Sequence, residues 1–337
     1  MPTSNITETL ANLSIVWILV LITGATVLRL VLVRSASALA RSAAEFLESG
    51  VIAIALVFLI LRPFIVQAYF IPSPSMEPTL LGENGSGDRI LVNKLDYRLR
   101  SPQRDNVVVF IPPAAATEGS PNEPSGAPIN YIKRLIGLPG DVLQTTAGRV
   151  YINGMPYTHT NIRDKFALVG LFGEEMKERV QLEPQYDTQA DYHVRFRPDA
   201  VLINGVPVSK SRIGEIVTGF PGASVRIEPG VTRRNGIRID EPFTAEDPDY
   251  DLQISDGKSL KRDGQNCRLD GDDISPEKYD LLSASPPGRV PPRHFFMMGD
   301  NRNDSKDSTE WGPLEANRVV GKAQFIFWPL RRMRAIQ

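Results

Sequence analysis

The chain has 337 residues, with 38 Lys and Arg against 39 Asp and Glu and a formal net charge of −1. That balance excludes a protein whose task is to neutralise nucleic-acid phosphates, so no nucleic-acid partner is assigned. One cysteine, Cys267, and three histidines, His159, His193 and His294, exclude an internal disulfide and any zinc-type spacing, and no metal or cofactor is assigned.

Apolar residues at 42% and charged residues at 23% are ordinary for a folded chain, and the length suits one large domain or two small ones with extra segments. The N-terminal third has a different character. Residues 1–12 contain no Lys or Arg, and Leu13 to Val33 is then almost wholly apolar, with Arg29 near its end. Val51 to Ile71 is a second apolar run, interrupted by Arg62 and Pro63. A spanning helix needs about 20 such residues, so residues 13–33 and 51–71 are expected to cross a membrane, their arginines snorkelling to its edges. Both runs are apolar on every face, which disfavours a helical pair in a soluble core. The small residues of Ser35-Ala36-Ser37-Ala38-Leu39-Ala40 offer A-x-A-like sites, but the tail lacks the positive charge of a cleaved secretory signal. Arg29, Arg34 and Arg41 cluster between the runs, so residues 34–50 are expected to form a cytoplasmic loop. The tail 1–12 and everything after Ile71 then lie on the export side.

Directly after the second run comes Ile71-Pro72-Ser73-Pro74-Ser75-Met76-Glu77-Pro78-Thr79-Leu80. Its prolines rule out a continuing helix and push Ser73 and Glu77 toward extended geometry. Beyond it lie short β-like runs separated by Gly, Pro and Asn-Gly turns: Asp88–Lys94, Asn106–Ile111, Tyr131–Ile136, Arg149–Ile152, Val201–Ile203, His294–Met298 and Val319–Trp328. A mostly β domain is expected. Residues 112–128 are rich in Pro, Ala, Ser and Gly and read as a flexible loop. Val150–Pro156 and Val201–Pro207 each read as a strand, an Asn-Gly turn and a proline, which two unrelated hairpins explain without an internal repeat.

A serine nucleophile needs a base and oxyanion donors. No G-x-S-x-G elbow is present, and no histidine stands in a motif. A lysine serves if desolvation keeps it neutral. In Tyr131-Ile132-Lys133-Arg134-Leu135-Ile136-Gly137, a strand puts Tyr131, Lys133 and Leu135 on one face, the apolar setting a lysine base requires. A third stretch, Phe295 to Gly312, runs from a buried strand into a dense polar loop, and its acidic residues do not follow an EF-hand spacing.

Together and in this order, "PSPSMEPTL", "YIKRLIGLPGD" and "FFMMGDNRNDSKDS" resemble the type I signal peptidases, or leader peptidases; "GDRILVNK" and "RDNVVVF" are similar to further motifs of that family. The resemblance implies a membrane-bound serine/lysine protease that cuts signal peptides after small residues. It places the nucleophile at Ser75 and the general base at Lys133, with the oxyanion hole formed by the Ser73 hydroxyl and the Ser75 N–H. Ser305 would hydrogen-bond and orient the lysine, Asp307 would be a structural acid, and Gly299 a point of close backbone approach. The implied partners are secretory preproteins, membrane lipid and the protein-export machinery, with the enzyme a multi-pass protein of the inner membrane.

The resemblance divides the exported part into a catalytic core at 72–153 and 288–337, separated by a variable insertion at 154–287. Two positions depart from the family pattern. Pro74 stands where a small residue is common and no N–H is needed. Thr309 replaces an arginine that pairs with the aspartate, leaving Asp307 under-paired unless Arg302 or Arg134 compensates. Ala114-Ala115-Ala116 in the expected loop is a candidate for slow self-cleavage. The alternatives are a soluble self-cleaving Ser/Lys protease, opposed by the two apolar runs, and an inactive membrane-anchored binding module, opposed by the intact serines and lysine.

Overall fold

The computed structural model describes residues 15–35, 37–82, 87–117, 130–159, 161–162, 194–203 and 205–337. The tail 1–12, residues 118–129 of the expected loop and the whole of 163–193 in the insertion, His193 included, lie outside the described residues.

The first apolar run is helical over Ile15–Val33, and a second helix begins at Ala38. The expected loop at 34–50 therefore shrinks to a link at 34–37. The Ala-rich stretch that follows favours helix, and its polar Glu48 meets Arg29 of the first helix at 2.6 Å. The second helix runs to Ala55 and continues in π-helical register over Leu56–Ile65. Pro63 lies in that wider turn, where its missing N–H breaks the regular ladder. Ala38–Leu59 is long and apolar enough to cross a membrane; Trp17–Val33 is apolar but shorter. The second run does not stay helical to Ile71. Val66–Phe70 is a strand, paired in register with Arg89–Asn93, so the sheet starts where the helix stops.

The fold beyond is mostly β. The first sheet runs, in spatial order, through Val66–Phe70, Arg89–Asn93, Val319–Trp328, Val107–Phe110, Tyr131–Gly137, His294–Met298 and Leu314–Glu315, every neighbouring pair antiparallel. Both faces of its centre are buried, and the period of two shows why the strands read as unbroken apolar runs. Val107 and Val109 join a cluster with Ile71, Met76, Leu80 and Ile90. Val108 and Phe110 face the other way, toward Leu135, Met297 and Trp311.

A second sheet is built from Ile237–Arg238, Val231–Arg234, Leu143–Thr146, Asp251–Ser255, Lys258–Asp263, Asn266–Leu269 and Asp272–Ile274. Most of its strands come from the expected insertion. It shares a core with the first sheet, since Ile136, Phe296 and Met298 pack with Leu143, Leu252 and Ile254. The insertion is thus not a separate appendage.

Between Thr146 and Val231 the chain makes a smaller unit. Two three-stranded sheets, Val225–Glu228/Arg149–Ile152/Met155–Tyr157 and Val206–Ser209/Ala200–Ile203/Val194–Phe196, enclose one core of Val150, Ile152, Val201, Ile203 and Phe196. The first hairpin turns on Asn153 and Gly154, with φ of 51° and 83°, the left-handed pair that an Asn-Gly turn supplies. The two matching hairpins belong to different sheets but line the same core.

Ala114–Thr117 forms one helical turn, and Ala116 is buried against the Phe110–Trp311 cluster. A protease needs its target extended and accessible, so the expectation of self-cleavage at Ala114–Ala116 is withdrawn.

Candidate active site

The two prolines flanking Ser73 confine the chain to one shape. Ser73 is extended at φ −128° and ψ 150°; Pro74–Met76 then makes a single 3₁₀ turn, and Glu77 is extended again at φ −69° and ψ 144°. Met76, fully buried, and Leu80 plug this turn into the core of the first sheet. Ser75 is thereby fixed and only 8% exposed, while Ser73 stays open to solvent. The Ser73 and Ser75 hydroxyl oxygens lie 3.3 Å apart.

Lys133 comes from the adjoining strand Tyr131–Gly137, where it stands opposite Val108. It is 4% exposed, and its Nζ lies 2.5 Å from Ser75 Oγ. Its ammonium is 6.0 Å from the Tyr131 ring centroid, on the same strand face as the sequence requires. Burial lowers its pKa to about 8, against the pull of Asp307, Asp300 and Asp304, which raise it. Those carboxylates oppose the effect of the apolar strand face. Desolvation still wins: with a value of about 8 the lysine stays mostly charged at pH 7, with roughly a tenth neutral, and the neutral fraction grows as pH rises.

The loop after His294–Met298 closes the site. Asn301 N donates to the Ser75 carbonyl at 3.2 Å, and Asn301 Nδ2 donates to the Pro74 carbonyl at 3.4 Å. Gly299 lies so near that a Cβ there would fall on the Ser75 carbonyl oxygen and the Ser305 hydroxyl. Only glycine fits.

Ser305 departs from its expected contact. Its Oγ is buried beside Gly299 without a hydrogen-bond partner among the described residues, and it makes no bond to Lys133. Asp307 is not under-paired. It caps the short helix Ser308–Trp311, accepting from Thr309 N at 2.9 Å and from Gly299 N at 2.7 Å. Neither expected arginine reaches it. Arg134 is buried in a two-pronged pair with Asp300, both contacts 2.7 Å, and Arg302 is paired with Glu241 at 2.6 and 2.9 Å. Two backbone amides, and no arginine among the described residues, satisfy the Asp307 carboxylate.

Sequence reasoning missed Asp300, Glu241 and Asn301. Asp300 sits beside Gly299 within the matched stretch, but its partner is far away in sequence. Glu241 carried no signal, because it lies in the insertion and reaches Arg302 only through the fold. Ser259, also from the insertion, donates from its hydroxyl to the Ser308 carbonyl at 2.6 Å, bracing the loop from below. His294 is outside the site, its Nδ1 sharing a hydrogen with the Pro292 carbonyl at 2.9 Å. No cluster of three or more metal-type ligands occurs among the described residues.

A serine hydroxyl held against a buried lysine can be compared with known proteins. The sequence matches the family described as signal peptidase, peptidase S26, over residues 43–191 and 215–328. This chain belongs to that family. It is 44% identical to a signal peptidase I of Pseudomonas aeruginosa across 82% of this chain and 70% of that one. A signal peptidase I of Pseudomonas fluorescens is 43% identical across 81% and 69%. One from Buchnera aphidicola is 26% identical across 82% and 74%. The two residue ranges matched by the signal peptidase family take in every strand of the second sheet.

Proposed function

We propose that this chain is a membrane-bound endopeptidase that removes N-terminal signal peptides from exported preproteins, cutting after small residues of the Ala-x-Ala type. The observation that carries the mechanism is the 2.5 Å contact between Ser75 Oγ and a buried Lys133. Neutral Lys133 takes the Ser75 proton as Oγ attacks the scissile carbonyl carbon. The carbonyl oxygen gains negative charge facing the Ser73 hydroxyl and the Ser75 N–H. Lys133, now protonated, gives its proton to the departing amine, leaving an ester on Ser75. Water then attacks that ester with Lys133 again as base, and Ser75 is restored. Gly299 and Asp307 hold the loop, and Ser305 is close enough to the turn to orient the lysine once substrate excludes water.

The anchor is the helical hairpin. Trp17, Leu21, Leu28 and Val31 of the first helix and Ile52 of the second point their apolar side chains outward, where lipid would cover them. Both helices cross the inner membrane in this reading, with the basic link in the cytoplasm and residues 72–337 on the export side. The core comprises residues 72–153 and 288–337; the part at 154–287 buttresses it. Preproteins, lipid and the export machinery are its partners.

The decisive experiment is cleavage of an Ala-x-Ala peptide by the wild type and by Ser75→Ala, Lys133→Ala and Lys133→Arg across pH. All three variants should be inactive, since a guanidinium stays protonated. Wild-type activity should rise with pH along a limb centred near 8, the value to which burial lowers Lys133. Substantial turnover by either lysine variant would refute the Ser/Lys mechanism. Protease added to the export side of sealed vesicles should digest the domain; protection would refute the topology.

A further inference from the structure

The turn carrying Ser73 and Ser75 is held between two glycines. Gly299 meets the Ser75 carbonyl on one side. On the other, Gly82 lies against Ser73: a Cβ on Gly82 would fall on the Ser73 carbonyl and within 2.7 Å of the Ser73 nitrogen. Gly82 is not among the glycines with positive φ, so it is space and not backbone freedom that demands glycine there. The atoms in the way are backbone, which cannot swing aside as a side chain can.

The segment carrying Gly82 is itself locked. Gly82 N donates to Glu77 Oε1 at 3.3 Å, and Leu81 N donates to Asp88 Oδ2 at 2.9 Å. Asp88, 1% exposed, accepts Arg332 Nε and Nη2, each at 2.9 Å. Arg332 and Arg334 also donate to the Thr79 carbonyl, at 3.4 and 2.9 Å, and Arg134 donates to the Thr79 hydroxyl at 3.3 Å. Three arginines from distant positions thus converge on the two residues, Thr79 and Asp88, that bracket Gly82. These contacts, part-buried except for the exposed one from Arg334, tie the segment to the C-terminal strand and its preceding turn, and through Arg134 to the strand Tyr131–Gly137. Their common effect is to press Gly82 onto the backbone of Ser73.

We propose that Gly82, locked by the Asp88–Arg332 pair, is a positioning residue that sets where the Ser73 hydroxyl sits in the oxyanion hole. The inference rests on the Ser75/Lys133 reading above. Oxyanion donors act only when they lie about 2.7–3.1 Å from the oxygen in the transition state. Displacing Ser73 should therefore remove transition-state stabilisation while leaving substrate binding nearly intact, which lowers kcat and spares KM.

The test uses the full chain in detergent, a preprotein substrate, and the variants Gly82→Ala, Ser73→Ala, Arg332→Gln and the doubles with Ser73→Ala. Gly82→Ala should lower kcat on the order of a hundredfold, as loss of one oxyanion donor does, with KM changed by less than about twofold. Adding Ser73→Ala to Gly82→Ala should cost less than about threefold more, because the hydroxyl is already misplaced. Arg332→Gln loosens the segment without placing an atom against Ser73. It should show a smaller loss of kcat, again non-additive with Ser73→Ala, and it keeps the test valid if Gly82→Ala fails to fold. Full kcat in Gly82→Ala overturns the proposal; so do losses that multiply in the doubles, or an unfolded Gly82→Ala beside an Arg332→Gln of unchanged kcat. In those cases Ser75-dependent cleavage by the wild type stands. Absence of that cleavage in the wild type overturns both readings together.

Discussion

Among the buried basic side chains of the described residues, Lys133 at 4% exposure in the first sheet and His159 at 3% in the small unit have no carboxylate ion pair of the kind that holds Arg134 and Arg302. Burial lowers both pKa values, the lysine to about 8 and the histidine to about 3. Their surroundings then diverge. Lys133 faces a hydroxyl at 2.5 Å, with three carboxylates limiting how far its pKa falls. His159 is stacked on Phe196, centroids 4.1 Å apart, and neither ring nitrogen has a hydrogen-bond partner among the described residues. Desolvation alone makes a neutral base in either place. Chemistry requires that the base also titrate near working pH and touch a nucleophile, and only the lysine does both.

The comparison is broken most directly through activity. Lys133→Arg should lower kcat/KM by on the order of 10³-fold or more, whereas His159→Phe should leave it within about twofold, since its mechanism is packing. Peptide-cleavage assays on the two purified variants check this; an inactive but folded His159→Phe would put the histidine in the site.

Stability gives the next contrast. A lysine whose folded pKa is about 8 is charged at pH 7 in both folded and unfolded chains, so the folded state bears the full cost of burying the charge. That cost fades as pH rises from the folded value through the unfolded one and is gone above it. Lys133→Met should therefore stabilise the domain by up to about 3 kcal/mol at pH 7, with the gain vanishing above about pH 10.5. Denaturant unfolding of the inactive variant across pH reads it.

For His159 the sign of the pH trend is the same but the window lies lower. The neutral ring's contribution is complete above the unfolded pKa and is lost as pH falls toward about 3. Wild type should thus lose about 2 kcal/mol between pH 6.5 and 5 that His159→Phe does not lose. A parallel acid slope in the variant would mean that the ring gains a proton on opening of the unit rather than on unfolding.

The smallest expected effect sharpens the lysine half. Thr309→Arg puts a positive charge beside Asp307 and weakens that carboxylate's hold on Lys133. The limb along which activity rises with pH should move down by under about one pH unit. Because Thr309 is 2% exposed and Asp307 is already satisfied, the longer side chain should also lower stability by about 1 kcal/mol. An unshifted limb, or a raised melting temperature, would show that Asp307 does have room for the arginine that Thr309 replaces.

Much of this was legible in the residues. Val319–Trp328 and His294–Met298 form as read, and Asn153-Gly154 turns as its chemistry demands, because local propensity and tertiary pairing agree there. The serine and lysine could be named because each stands in an unusual local context, a proline-stiffened turn and an apolar strand face. What stayed hidden was carried by pairs far apart in the chain. Asp300 and Glu241 are ordinary acidic residues until the fold brings Arg134 and Arg302 to them. The end of the second helix was misjudged for a related reason. Val66 to Phe70 is as apolar as a helix continuation, and only the partner strand Arg89–Asn93 makes it β. Ala114–Ala116 looked exposed on composition, yet the cluster around Trp311 captures Ala116.

One detail of the second sheet bears on how such a chain can be remodelled. Thr146 and Val231 are register partners on neighbouring antiparallel strands, and the described strands of the small unit all fall between them in sequence. Gly148 and Gly230 also approach each other at the doorway, where a Cβ on Gly230 would stand 3.0 Å from Gly148 N. The unit is thus a hairpin loop grown to the size of a domain, entering and leaving through one gap a tight turn would bridge. Grafting such a turn across Thr146 and Val231 would yield a minimal enzyme that keeps Glu241 and Ser259, whereas excising the whole of 154–287 would pull the supports from under the catalytic loop.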